Sequence, residues 1–377
     1  MTLADSRRNF LKTAGLLAGA TVVAGRAFPA MAAAKSGEAG ISLAECQAMS
    51  PIEMARSSVM VQNAWKSLQE EIASIRNPSL RASIADIYGD PTPRITQALD
   101  EKTRRQIWQE LTAKNYTKQA LADVLPAVPN DPGTVMPFDA APGSGYQSHH
   151  AYPGGLVTHV ATNVRITSAI VETYQNVYGY RVDRDIALAA QLLHDLHKPY
   201  VFQWNDENSS RTEQTLAGTG EHHVLSAAEL ITRKVPPELV IAMISAHQCA
   251  TTDDDEKILA DWLEAAAIVA GVDPVAHGLI STKHRLPEIP RQEGFICHLG
   301  DHDFVLSVPA VKTTLPVMRQ IAAVDYKMSE ADLNGKVFNK LRNRVYSTYS
   351  AMRIHEEMTR HGKEGVRRLM SRSVHPV

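Results

Sequence analysis

One short run, residues 192–196, limits the fold of this chain more than any other feature. Its letters are LLHDL, so His194 and Asp195 stand side by side in a stretch that is otherwise apolar. Burying two such groups is costly unless they find polar partners. A bound metal ion removes that cost, because imidazole and carboxylate groups are ligands of divalent metals. The sequence therefore predicts a metal site built on helices.

Further candidate ligands flank this pair at wide spacing. His159 precedes the pair, and His223, His247 and Asp273 follow it within a mostly helical pattern. The chain has only three cysteines, so no thiolate cluster competes for a metal. The odd number and wide spacing of these cysteines also argue against a disulfide scaffold.

The spacing of apolar residues predicts an all-α fold, with helical extensions on both sides of a metal-binding core. Alanine is abundant in the helical stretches and favours this class. We divide the chain into a signal segment (1–32), a helical N-terminal region (33–144), a metal-binding core (145–285), and a C-terminal hairpin with helices (286–377).

Three segments are expected to depart from helix. Residues 126–153 are rich in Pro, Gly and Asp, and they lead His149 and His150 to the start of a helix. Residues 200–221 alternate in polarity and predict a hairpin-like insertion or loop over the site. Residues 293–308 are also strand-like and predict a small β-hairpin.

The N-terminus resembles a twin-arginine export signal. Arg7 and Arg8 precede the letters NFLK, an apolar segment follows, and residues 30–32 offer a small-x-small cleavage pattern. We therefore expect the twin-arginine translocase as a partner during export, and a periplasmic or secreted mature protein. The apolar run is short and no later segment is long and apolar enough to span a bilayer, so we expect no stable membrane insertion.

The charge balance argues against a nucleic-acid surface. Lys and Arg number 39 against 41 Asp and Glu, which gives a formal net charge of −2. Nucleic-acid binding requires clustered basic residues, and this charge balance does not indicate such a surface. We therefore expect no nucleic-acid partner, and a small molecule as the substrate.

The order of the candidate ligands resembles the HD-domain superfamily of metal-dependent phosphohydrolases. The signature of that family is a histidine, a His-Asp doublet and a distal aspartate, matched by His159, His194-Asp195 and Asp273. A subset of the family binds two metals through two further histidines, matched in this sequence by His223 and His247.

The residues around these positions are similar as well. The letters GGL precede His159, as at the start of the corresponding family helix, and HDLHK at 194–198 resembles the family's His-Asp-x-Gly-Lys, with His197 in place of glycine. The resemblance covers about residues 145–280 and implies a helical bundle of the HD-domain type. It also implies a divalent metal cofactor, expected as two ions of Mn, Fe, Ni, Mg or Zn.

For two of the metal-ligand positions, the resemblance allows a second candidate residue. Asp261 resembles the distal aspartate of some members, although the small apolar run before Asp273 favours that residue. His222 competes with His223 in the same way. The spacing to the letters AAE at 227–229 favours His223 and leaves His222 as a candidate substrate-binding residue.

Roles follow from the family and from helix geometry. Asp195 is the expected bridge between two ions, and Lys198 projects from the same helix face. In the family, that lysine contacts a phosphate or the bridging water, so both residues are candidate catalytic groups. His149 and His150 precede a helix start whose amides attract anions, which makes them candidate substrate-binding residues.

Three functions are compatible with this ligand set. Hydrolysis of a phosphate mono- or diester by metal-activated hydroxide is the leading expectation. Helical HD-type oxygenases, similar to myo-inositol oxygenase, hold two irons with the same ligands and use dioxygen. A metal-stabilised binding protein without catalysis is the third. The presence of all six candidate ligands favours an enzyme.

Overall fold

Helices make up nearly all of the regular structure of the computed structural model, which describes residues 40–97, 99–125, 135–288 and 291–377. The expected all-α class is confirmed. The helices are α1 (Leu43–Ala48), α2 (Pro51–Arg56), α3 (Val59–Ser74), α4 (Pro78–Gly89), α5 (Arg94–Gln97), α6 (Glu101–Ala113), α7 (Gly155–Tyr178), α8 (Arg184–Leu193), α9 (Lys198–Val201), α10 (Glu221–Thr232), α11 (Pro237–Ile244), α12 (Asp253–Ala270), α13 (Gln292–Gly300), α14 (Phe304–Asp325), α15 (Glu330–Leu333) and α16 (Lys336–Ser373).

Four strands of two residues each complete the described structure. β1 (Ile41–Ser42) pairs in parallel with β4 (Val374–His375), and so joins the two ends of the described chain. β2 (Thr215–Leu216) and β3 (Thr219–Gly220) form an antiparallel hairpin within the segment that was expected to form a hairpin-like insertion.

The β-hairpin expected over residues 293–308 is wrong. The chain there forms α13 and the start of α14. Glu293, Ile296, Cys297 and Gly300 are buried, and their spacing of three and four residues is that of one helix face. This face packs against α7, α8 and α11, so tertiary burial selects the helical period over a short alternating pattern.

Seven helices of the described residues form the scaffold of the candidate site. α7 packs against α8 and α3, and α8 packs in turn against α11 and α13. α10 lies against α11 and α12. Their inner faces share one large apolar cluster, which includes Val160 of α7, Leu192 of α8, Leu225 of α10 and Leu263 of α12.

A second apolar cluster belongs to the C-terminal helices. α14 packs along α16, and the N-terminal α1 joins them through the buried Cys46. Phe338, Leu341 and Val345 of α16 lie at its centre and are fully buried. α16 is interrupted at Ser350 and Gly362, where φ is 59° and 60°, so it consists of three shorter helical pieces.

Two details of the N-terminal region limit its helices. α2 and α3 are separate helices, because Ser58 caps α3 by accepting a hydrogen bond from the backbone N–H of Val61. Residues 117–125 form turns rather than a helix. The twin-arginine signal and its cleavage region lie outside the described residues.

No helix in the described part of the chain is long and apolar enough to cross a bilayer.

Candidate metal centre

Four polar side chains converge where α7, α8 and α13 meet. Nε2 of His194 lies 3.3 Å from Nε2 of His159 and 3.2 Å from Oδ1 of Asp301. Nε2 of His159 lies 3.1 Å from Oδ2 of Asp195 and 3.3 Å from Oδ1 of Asp301. We call His159, His194, Asp195 and Asp301 the acidic group, because it pairs two imidazoles with two carboxylates.

Three further imidazoles adjoin this set. His222, His223 and His247 each offer a ring nitrogen, and these atoms lie within 4.8 Å of one another. Nε2 of His222 is 3.3 Å from Oδ1 of Asp195, and the rings of His223 and His247 stack with centroids 3.6 Å apart. We call these three histidines the imidazole group.

Asp195 connects the two groups. Its Oδ2 faces the histidines of the acidic group, while its Oδ1 faces His222 and lies 3.9 Å from Nε2 of His247. Its side chain is fully buried, and neither oxygen accepts a well-formed hydrogen bond from the described residues. A buried carboxylate without such bonds is costly, and a cation on each side would offset that cost.

Lys198 supplies one positive charge to this carboxylate. Its Nζ lies 2.6 Å from Oδ2 of Asp195 and donates a hydrogen bond to the carbonyl oxygen of Gly143 at 2.7 Å. Lys198 is itself buried. The ammonium is therefore held against the carboxylate that joins the two groups.

Neighbouring residues fix the orientation of both acidic-group histidines. Nδ1 of His194 donates to the carbonyl oxygen of Gln191 at 2.7 Å, which directs Nε2 toward the carboxylates. Nδ1 of His159 lies 2.9 Å from Oδ1 of Asp303, whose Oδ2 is 2.6 Å from Nε2 of His150. Partners of this kind set the tautomer of a metal-binding histidine and raise its basicity.

Two glycines bring these residues close together. A Cβ at Gly300 would lie 2.0 Å from Oγ1 of Thr167 on α7, so only glycine allows α13 to approach α7 and present Asp301. A Cβ at Gly155 would lie 1.8 Å from the carbonyl oxygen of His150. The loop that carries His149 and His150 can therefore lie directly on the first turn of α7.

The pKa values of the two groups shift in different ways. Burial opposes protonation of His194, but the charges of Asp195 and Asp301 outweigh it and raise the pKa of His194 to about 9. Burial, together with the neighbouring His247 and His222, holds the pKa of His223 well below its usual range. In the imidazole group His222 differs from His223, because Glu213 and Asp195 outweigh burial and raise the pKa of His222. The acidic group thus attracts cations, and in the imidazole group His223 supplies a neutral nitrogen.

A cavity of about 330 Å³ opens onto both groups. His159, Lys198 and Asp301 lie along its inner wall, and residues not used above complete its lining: Ser144, Ser148, His149, Phe202, Glu213, Ala246, His298, His302 and Phe304. This volume lies at the small end of the range for ligand sites, so the cavity is suited to a small molecule.

The distal aspartate expected from the sequence is misplaced. Asp273 is exposed, and its Oδ1 accepts a hydrogen bond from the backbone N–H of Ala276 at 2.7 Å. It lies beyond the end of α12, whereas Trp262, three turns earlier on that helix, packs 5.8 Å from the ring of His223. A rise of 1.5 Å per residue places the end of α12 roughly 12 Å past that contact, and Asp273 follows that end.

The alternative, Asp261, also lies outside the two groups. Its carboxylate is paired with Lys257 at 2.7 Å and His284 at 2.8 Å, and it accepts from Tyr116. Asp301 occupies the place that the sequence analysis gave to Asp273. The letters GDHD at 300–303 carry the signal, but they lie in the segment for which the sequence predicts a hairpin.

The candidate substrate-binding histidines have different surroundings. His149 lines the cavity, and none of the described residues forms a hydrogen bond with its buried Nδ1. His150 instead pairs with Asp303 behind His159. Nδ1 of His222 lies 2.5 Å from Oε2 of Glu213, and Nδ1 of His223 lies 2.6 Å from Oγ1 of Thr219.

His197, which replaces the family's usual glycine, lies behind the site. Its Nε2 is 3.5 Å from Oε2 of Glu229, a buried carboxylate that also accepts from the backbone N–H groups of Arg94 and Ile95. His197 therefore supports the packing of α9 against α10. It does not line the cavity.

Comparisons with known proteins identify a domain in the part of the chain that carries most of these histidines. The family model described as the HD domain matches residues 157–267, so an HD domain is present in the chain. Over 151 residues the chain is 29% identical to dihydroneopterin 2′,3′-cyclic phosphate phosphodiesterase of Methanocaldococcus jannaschii, which covers 40% of this chain and 55% of that protein. The chain therefore spans about half the length of that relative. No solved structure matches the chain significantly.

Proposed function

We propose that this protein is a metal-dependent phosphohydrolase that cleaves phosphodiester bonds in small molecules. The observation that carries the proposal is the position of Asp195, with one oxygen toward the acidic group and the other toward the imidazole group. A carboxylate between two nitrogen-rich groups has the donor set of a two-ion centre. The HD domain and the printed activity of the phosphodiesterase relative support the same reaction class.

The donor set suggests which residues would hold each ion. His159, His194 and Asp301 would hold one ion, and His222 and His247 the other, with Asp195 between the two. When bound, such ions would lower the pKa of a water molecule and neutralise phosphate oxygens. His223 stacks on His247 and would set the position of that ring.

Hydrolysis forms one P–O bond to the oxygen of water and breaks one P–O bond to the alcohol. The proton lost by water ends on the departing alkoxide oxygen. Lys198 holds Asp195 in place, and its buried position keeps this contact away from bulk water. His149 lines the same cavity, and its unpaired Nδ1 is available to a phosphate oxygen or to the departing oxygen.

Metal analysis combined with an activity assay tests this function. Purified protein should contain up to two divalent ions per chain and hydrolyse a generic phosphodiester after loading with Mn²⁺, Fe²⁺ or Ni²⁺. Replacement of Asp195 by Asn should abolish turnover, whereas replacement of the surface Asp261 by Asn should not. A coloured di-iron protein that consumes dioxygen would support an oxygenase, and bound metal without turnover would support a binding protein.

We further propose that the protein is exported through the twin-arginine pathway. The proposal rests on Arg7, Arg8 and the cleavage pattern that ends at residue 32. N-terminal sequencing of the exported protein should find a start near Ala33. Replacement of Arg7 and Arg8 by Lys should retain the precursor in the cytoplasm, whereas Arg26→Lys should not. Wild-type protein that stays in the cytoplasm with residues 1–32 attached would refute the proposal.

A further inference from the structure

An apolar surface borders the mouth of the metal-site cavity. Phe304, the first residue of α14, lines the cavity and is 41% exposed. Leu299, Val305 and Leu306 beside it are also exposed. Exposed apolar groups at the entrance of a polar site are typical of ligand-binding surfaces.

The ring of Phe304 belongs to a row of rings that leads to His159 of the acidic group. It lies 5.4 Å from the ring of His302 and 6.3 Å from that of His149. The ring of His149 lies 5.3 Å from that of His159. A molecule whose phosphate sits beside His159 therefore has room for an organic group beside Phe304.

The chemistry of this outer part of the cavity favours an uncharged, planar group. Among the described residues that line the cavity, Lys198 is the only lysine or arginine, and Asp195 engages it. A second phosphate would therefore find no cation of its own. Nδ1 of His302 donates to the carbonyl oxygen of His298, which leaves Nε2 of that ring as an acceptor for an N–H or O–H group.

We propose that Phe304, with the rings of His302 and His149, forms a subsite for a planar, unsaturated ring carried by the alcohol part of the substrate. The proposal rests on the proposed function, because it places the phosphate at the acidic and imidazole groups. Stacking on an aromatic face strengthens the binding of a planar ring, so the subsite would select among phosphodiesters that share the same reacting bond.

Two cyclic phosphodiesters with the same reacting bond test the subsite in the Mn²⁺-loaded protein. Adenosine 2′,3′-cyclic phosphate carries a planar ring, and glycerol 1,2-cyclic phosphate has the same five-membered cyclic phosphate without one. Phe304→Ala should lower kcat/KM about tenfold for the adenosine compound, mainly through KM, and less than about twofold for the glycerol compound. Phe304→Trp should retain the preference. Val324→Ala, an exposed residue on the same helix, is the matched control.

The outcomes separate this inference from the proposed function. An equal fall for both substrates in Phe304→Ala, or no fall for either, would overturn the subsite while leaving the hydrolase intact. If wild-type protein hydrolysed neither compound, the proposed function would fail for cyclic diesters. Calorimetry would still decide the subsite, since tighter binding of adenosine 2′-phosphate than of glycerol phosphate, lost in Phe304→Ala, supports it and equal binding refutes it.

Discussion

The acidic group and the imidazole group meet at one carboxylate but differ in chemistry. The acidic group combines two histidines with Asp195 and Asp301, and its histidine pKa values are raised. The imidazole group has three histidines of its own; the pKa values of His223 and His247 are lowered, whereas Glu213 and Asp195 raise that of His222. Both histidines of the acidic group thus bind protons strongly, whereas only one of the three in the imidazole group does.

In the proposed two-ion centre, this difference implies two unequal metal positions. Carboxylate oxygens suit hard cations such as Mn²⁺ and Mg²⁺, whereas imidazole suits Fe²⁺, Ni²⁺ and Zn²⁺. A cation bound in the acidic group must displace protons from His159 and His194, so its affinity should rise steeply with pH. The imidazole group should show a weaker dependence. Variants that change metal binding in only one of the two groups would therefore test whether the two positions differ.

Among variants confined to one of the two groups, the largest effect is expected from Asp301→Asn, because Asp195 faces both groups and Asp301 belongs to the acidic group alone. Activity should fall by more than about 100-fold, the upper end of what loss of a supporting residue costs at metal sites, and one equivalent of metal should be lost. Asp273→Asn is the control, and turnover and metal content should match the wild type. If Asp273→Asn lost activity and metal while Asp301→Asn kept both, Asp273 would be the distal ligand.

Within the imidazole group, a comparison of His222→Ala with His223→Ala should show which of the two residues binds metal. Nε2 of His222 is the nitrogen beside Asp195, and Glu213 supports that ring. We expect His222→Ala to lose one metal equivalent by elemental analysis, and His223→Ala to weaken metal binding by about tenfold or less through loss of stacking on His247. A larger loss of metal in His223→Ala would instead support the sequence-based prediction that His223 is the metal ligand.

Asp303→Asn should act on the acidic group alone, through the orientation of His159. Loss of a carboxylate behind a metal-binding histidine typically costs 10–100-fold in metal affinity, so we expect roughly a tenfold rise in the metal Kd. Asp325→Asn, at the other end of α14 and paired with Arg367, is the control. Equal affinities in wild type and Asp303→Asn would show that Asp303 does not orient the ring.

The smallest effect on the metal groups is expected from Glu229 of α10, the helix that carries His222 and His223. Burial raises the pKa of this carboxyl, but His197, Arg233 and backbone donors lower it to about 2. A depressed pKa contributes stability above about pH 4.5 that is lost as pH falls toward 2, and the shift corresponds to roughly 3 kcal/mol.

Glu229→Gln should therefore lower the free energy of unfolding at pH 7 and flatten its decline between about pH 4.5 and 2. Denaturant unfolding measured at several pH values checks this, with the exposed Glu238→Gln as the control. An unchanged pH profile in Glu229→Gln would exclude Glu229 as a source of acid sensitivity.

Much of the architecture could be predicted because it depends on local patterns. The helices that carry His159 and the His-Asp pair have long apolar periods and clear caps, such as Asp183 before α8 and Gly179 after α7. The hairpin over 293–308 failed because a short apolar run fits either period. Only packing against α7 and α8 selects the helix.

The sequence by itself determined the all-helical class and the set of histidines that meet at Asp195. These features follow from apolar periodicity and from the cost of burying polar groups without partners. Only the tertiary structure decided the distal carboxylate. The sequence around Asp273 resembles the expected ligand, but α12 carries it away from the site, whereas Gly300 lets α13 approach α7 closely enough to present Asp301. Which carboxylate reaches a shared point depends on helix packing, and that information is spread over distant residues.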